Sequence, residues 1–160
     1  MKLCRFLHRS SPEPRHGVIE GDALYPVAAD GYFNLSELRR SQATVSLGEV
    51  RLLAPVAPSK IVCVGRNYRE HAAELGNKMP DEPLLFLKSP AAVIGPDEVV
   101  QLPPQSDQVE HEGELGVIIG RKAHRLGADE RPLDFVLGYT CVNDVTARDP
   151  QRKDVQFTRG

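Results

Sequence analysis

HEGELGVIIG, residues 111–120, joins a charged opening to an apolar run closed by glycine. The run is short and bounded by a turn residue, so it reads as a strand over 114–119. In a strand, residues i and i+2 share a face. Glu112 and Glu114 therefore project side by side, and His111 points the other way and is left out of their grouping. Two carboxylates this close repel, and one should hold its proton more tightly unless a positive charge sits between them. A hard divalent cation such as Mg²⁺ supplies that charge and prefers carboxylate oxygen. Gly113 adds no side chain between the pair, and Gly116 clears the face below Glu114. For Glu-x-Glu alone, a charged strand edge kept for solubility is the simpler reading. Asp144 shifts the balance. It ends a second apolar strand, Gly138 to Val142, and would complete a three-carboxylate set with positions left for water or substrate.

Working outward, residues 1 to about 53 alternate short apolar pieces with Gly17, Gly21-Asp22 and Asp30-Gly31, a β-rich pattern, with one short helix expected over Asn34 to Arg40. Ala54-Pro-Val-Ala-Pro58 stiffens the chain and ends pairing, which places a domain boundary at 57 and gives domains 1–57 and 58–160. Further strands are expected at 60–65, 84–87 and 99–102, and short helices at 69–75 and 132–137; 151–160 is polar and patternless. Asn67 with Glu70 has capping-box spacing for the first helix, and Gly76 should end it. The pattern is α+β and β-dominated, without the regular βαβ alternation of a doubly wound sheet.

On the helix at 69–75, His71 and Glu74 are i and i+3 and share a face. A carboxylate beside an imidazole fixes its tautomer and raises its basicity, which suits a general base, although an incidental surface pair has the same spacing. The turn Arg66-Asn67-Tyr68 before that helix is a candidate substrate-binding segment.

A net charge of −2 gives no electrostatic case for a nucleic-acid partner. No run of about 18 apolar residues suggests a membrane span. Cys4, Cys63 and Cys141 are odd in number and far apart, which fits neither a disulfide framework nor zinc spacing and agrees with a cytoplasmic location. Cys63 and Cys141 lie in apolar runs and are expected to be buried.

KIVCVGRNYREHAAELG, EPLLFLKSP, HEGELGVIIG and GYTCVNDVTARDPQ follow one another in order across residues 60–151. Together they resemble the catalytic domain of the fumarylacetoacetate hydrolase family, and most of all its acylpyruvase, oxaloacetate decarboxylase and 2-hydroxyhepta-2,4-diene-1,7-dioate isomerase branch. The first 57 residues resemble the variable N-terminal region of longer members. The resemblance implies a mixed β-sandwich or β-roll with few helices. It implies Mg²⁺ or Mn²⁺ held by Glu112, Glu114 and Asp144, a His71/Glu74 dyad on a lid helix, and Lys88 helping to hold the lid glutamate. Arg148 and Gln151 would contact a substrate carboxylate. The substrate would be a small keto acid and the protein a homodimer. The leading expectation is hydrolysis of a C–C bond in an acylpyruvate or a fumarylacetoacetate-like 2,4-diketo acid; isomerisation or decarboxylation with the same residues is the alternative. The family pattern continues past QFTRG into a catalytic lysine and more sheet, so a chain ending at Gly160 is expected to expose an apolar face and not to be a stable, fully active enzyme alone. A non-catalytic role in dimer assembly is the reading from a different class.

Overall fold

The computed structural model describes residues 1–28, 38–74, 76, 78–154 and 156–160, with the side chains at 39, 40, 71 and 72 outside the description. The chain divides into two compact units, one of residues 1–56, 94–98 and 112–144 and the other of 57–93, 99–111 and 145–160.

The first unit opens with β1 (Lys2–His8), β2 (Arg15–Glu20), β3 (Ala23–Ala28), β4 (Arg39–Arg40), β5 (Val45–Ser46) and β6 (Val50–Leu53). They form one sheet in the order β4-β3-β2-β1-β6, with β5 also on β3. Alternation along β1 turns Cys4 and Phe6 inward to meet Leu24, with Val18 buried on the opposite face of the sheet, and Phe6 and Leu24 are fully buried. Each stabilises the unit by about 2–3 kcal/mol through burial alone. Burial also pushes the Cys4 thiol pKa up to about 11, against a smaller opposing effect of the Gly17 backbone. The helix expected over Asn34 to Arg40 lies mostly outside the described residues, and its last two residues are β4 instead.

The same unit holds an antiparallel hairpin whose strands span Gly113–Ile119 and Val136–Asn143. Pairing runs from Gly113↔Asn143 to Ile118↔Gly138, with a bulge before Ile119↔Val136. The second strand starts earlier than its apolar run suggests. The helix expected at 132–137 is only a 3-10 turn, Pro132–Phe135, because Gly120 N–H captures the Phe135 carbonyl at 2.9 Å and draws Val136 into the ladder. One face of the hairpin carries exposed Leu115, Val117, Ile119 and Tyr139.

In the second unit, β7 (Ile61–Gly65) pairs with β8 (Leu84–Lys88), and α1 (Arg69–Glu74) lies between them in sequence. Gly76 stops α1: it has φ +68 and donates to the Ala73 carbonyl at 3.0 Å. Val62, Val64, Leu85 and Leu87 share the exposed face of this hairpin, while Phe157 meets Phe86 edge-on at 5.5 Å on the other. Both hairpins thus carry an exposed apolar face. The strand expected at 99–102 is absent. Pro103-Pro104 cannot donate to a ladder, and Val99 and Leu102 stand 82% and 69% exposed without a partner strand. A two-residue ladder, β9 (Val109–Glu110) with β12 (Thr146–Ala147), brings the unit's late segments together; β10 and β11 are the two strands of the 113–143 hairpin. The polar end is structured after all, as α2 (Arg148–Lys153) and a 3-10 turn over Phe157–Arg159. The chain is α+β and strand-dominated, as its sequence pattern indicates.

Candidate functional site

The β10–β11 register decides the arrangement of the carboxylates. One rung beyond Gly113↔Asn143, Asp144 N–H donates to the Glu112 carbonyl at 2.8 Å, and Glu112 N–H donates to Asn143 Oδ1 at 3.2 Å. Glu112 therefore stands opposite Asp144, and Glu114 opposite Val142, so all three acidic residues fall on one face of the hairpin. All three are half-buried. Gly116 lies on that face next to Glu114. A Cβ there would sit 2.8 Å from a Val142 methyl and 2.9 Å from the Thr140 methyl, whereas nothing lies within 4 Å of a Cβ at Gly113. The steric demand for glycine is thus at 116, not at the spacer between the glutamates. His111 is exposed.

Three carboxylates on one face, on alternate rungs, are a donor set that suits a hard divalent cation. Among the described residues, no three His, Cys, Asp or Glu side chains are drawn close enough together to hold a metal ion.

The second unit carries the other candidates. His71 and Glu74 lie on α1, and Glu74 is exposed. Arg66, in the turn from β7 to α1, holds φ 55, a left-handed conformation uncommon for a side-chain-bearing residue and often found where a loop is functional. Asn67 and Tyr68 beside it are exposed. Lys88 Nζ donates to the Gly160 carbonyl at 3.1 Å and sits 6.0 Å from the Phe86 ring centre.

Arg148 and Gln151 stand on the first turn and a half of α2. Arg148 is 9% exposed. Its Nε donates to Glu110 Oε2 at 2.8 Å, its Nη1 to Gln151 Oε1 at 3.0 Å, and its backbone N–H to the Gln108 carbonyl at 2.8 Å. The Arg148 hydrogen bond, followed by one from Gln108 Nε2 at 2.5 Å, holds the Glu110 carboxyl below the usual carboxylate range. Asp149 Oδ2 accepts from Ser106 Oγ at 3.0 Å, Asp107 N–H at 2.9 Å and Gln108 N–H at 3.3 Å. These bonds keep its carboxyl ionised at lower pH than usual, the Ser106 hydroxyl contributing most. Glu110, Gln108 and Asp149 were not apparent from the sequence. Apart from the Gln108–Glu110 bond, their partners lie 38 to 44 residues away.

Residues 60–160 match the family described as fumarylacetoacetate (FAA) hydrolase C-terminal. The chain belongs to the fumarylacetoacetate hydrolase family. Residues 1–55 match a second family, described as Rv2993c-like, N-terminal. The oxaloacetate tautomerase YisK of Bacillus subtilis is 45% identical over 120 residues, covering 72% of this chain and 40% of that protein. The crystal structure of 5-carboxymethyl-2-hydroxymuconate delta-isomerase from Mycobacterium smegmatis superimposes with a TM-score of 0.84 at 39% identity, over 99% of this chain and 60% of that one. The 2-hydroxyhepta-2,4-diene-1,7-dioate isomerase of Mycobacterium marinum gives a TM-score of 0.81 at 34% identity, over 99% of this chain and 60% of that one. The chain spans about half the length of the curated relatives it matches. Enzymes of the family include tautomerases, isomerases and hydrolases, and they commonly use a divalent metal. Among the described residues, no helix is long and apolar enough to cross a membrane.

Proposed function

We propose that the chain carries active-site residues of a divalent-metal-dependent tautomerase or isomerase acting on small 2-keto dicarboxylic acids. The observation that carries this reading is the β10–β11 register, which puts Glu112, Glu114 and Asp144 on one face in a member of this family. The tautomerase and the two isomerases among the relatives support proton transfer over the C–C bond hydrolysis first expected from the motifs.

Glu112, Glu114 and Asp144 would hold Mg²⁺ or Mn²⁺, which when bound supplies Lewis-acid stabilisation of enolate charge. His71, with Glu74 on the same face of α1, takes a proton from the carbon beside the keto group and returns it elsewhere on the substrate. Arg148 and Gln151 would form the corner that meets a substrate carboxylate, and Arg66, Asn67 and Tyr68 lie in the turn that leads into the helix carrying His71 and Glu74. Lys88 helps to hold that helix. Tautomerisation needs no attacking water, so the hydrolytic half of the motif-based expectation is not required of His71.

The test is a side-by-side assay of the Mg²⁺-loaded protein. Keto–enol interconversion of oxaloacetate, isomerisation of 2-hydroxyhepta-2,4-diene-1,7-dioate, decarboxylation of oxaloacetate and cleavage of an acylpyruvate are measured together. One of the two proton-transfer reactions should be fastest. Acylpyruvate cleavage running tenfold faster than either would return the chain to the hydrolase reading.

A further inference from the structure

A line of hydrogen bonds runs through the second unit and ends at Gln151. Arg152 Nη2 donates to Gln108 Oε1 at 2.8 Å, and the other end of that carboxamide, Nε2, donates to Glu110 Oε1 at 2.5 Å. Glu110 Oε2 accepts from Arg148 Nε, and Arg148 Nη1 donates to Gln151 Oε1. The direction of every link is set by the guanidinium groups, which can only donate, and by the Glu110 carboxylate, which can only accept. Arg148 therefore fixes the sense of the Gln151 carboxamide. Its oxygen is spent on Arg148, and its Nε2 amino group is the end left to meet a ligand. The backbone of Gln151 is pinned as well: a Cβ on Gly160 would lie 2.5 Å from Gln151 Cβ, so the 3-10 turn Phe157–Arg159 and its glycine pack directly on it.

We propose that Glu110 is a positioning residue, which acts through Arg148 to present Gln151 Nε2 as a hydrogen-bond donor to a carboxylate or keto oxygen of the substrate. This rests on the keto-acid reading above. It adds that the buried Arg148 serves the site by orienting Gln151, and that the corner discriminates in favour of ligands with an accepting oxygen at that point. A lone guanidinium as buried as Arg148 would be strained in its absence of a counter-charge, which is the second service of Glu110. Glu110 lies on β9, whose pairing with β12 places it at the start of α2, so the relay is built into the ladder and does not depend on a loop.

Two variants test this in the protein. Glu110→Gln keeps the size but removes the charge and sets an amino group against either Gln108 or Arg148. Gln151→Glu keeps an acceptor for Arg148 and removes the donor. Each should raise KM for the keto acid by about tenfold or more while kcat stays within about threefold, as expected when one charge-assisted contact to substrate is lost. The side-chain amide signals of Gln151, read by ¹H–¹⁵N NMR without substrate, should shift in Glu110→Gln. If that variant unfolds, Glu110→Asp, which keeps the charge and shortens the reach, replaces it in both measurements. Unchanged Gln151 amide signals would overturn the relay, and an unchanged KM in Gln151→Glu would overturn the donor role. A parent protein that turns over no keto dicarboxylate would instead refute the functional reading, with the NMR result still deciding the relay.

Discussion

Gly116 and Gly113 make a paired perturbation of the carboxylate face. In Gly116→Ala the new methyl would lie 2.8 Å from a Val142 methyl and 2.9 Å from the Thr140 methyl. Carbon atoms prefer about 3.5–4.0 Å, so these neighbours must retreat by up to about 1 Å. Overpacking of that kind costs about 1–3 kcal/mol. Val142 is 43% exposed and can move outward, which favours the lower half of that range. Replacing glycine in a strand returns about 0.5–1 kcal/mol of backbone entropy, leaving a net loss of about 1 kcal/mol. Gly113→Ala gains the same entropy with nothing within 4 Å to meet. The entropy gain cancels between them, so the two variants should differ by the overpacking cost, about 1–2 kcal/mol in urea unfolding, with Gly113→Ala the more stable. Because Gly116 adjoins Glu114 on its face, Gly116→Ala should also weaken Mn²⁺ binding, measured by calorimetry. Equal stabilities would refute the steric reasoning.

Glu114→Gln should weaken Mn²⁺ binding by at least about tenfold with little change in unfolding, since one of three carboxylates is neutralised on a half-buried face. Asp149 binds its proton less tightly when folded, so its contribution is complete above the ordinary carboxyl value near pH 4 and drains as pH falls through the lower folded value. Asp149→Asn should therefore be less stable than the parent at neutral pH, and the gap should close in acid; a gap that widens in acid would contradict this. Cys4, buried and with its thiol raised to about 11, should react with iodoacetamide much more slowly than the exposed Cys141, as peptide mapping after timed labelling would show.

Much of the carboxylate face was legible in the sequence because a strand has period two: Glu112 and Glu114 had to share a side. What the sequence withheld was register. Only the ladder shows that Asp144 faces Glu112 across the hairpin. Cys141, expected to be buried from its apolar run, is exposed, because Leu115, its partner in the ladder, lies on the uncovered face. Apolar content alone misread 99–102, where the following prolines cannot pair. Helix α2 went unseen because it has no apolar stripe and contains Pro150, which its first turn tolerates. Its start is held by tertiary bonds instead, with Asp149 clamping 106–108 and Arg148 paired to Glu110. Contacts made across some 40 residues by polar side chains leave no periodic trace.

Metal dependence of proton transfer bears most directly on the role of Glu112, Glu114 and Asp144. The rate of oxaloacetate keto–enol interconversion is measured in the Mg²⁺-loaded protein, after exhaustive EDTA treatment, and after Mg²⁺ is returned. Loss on chelation and recovery on addition is the expected result; a rate that survives thorough chelation would contradict a catalytic cation at these three carboxylates.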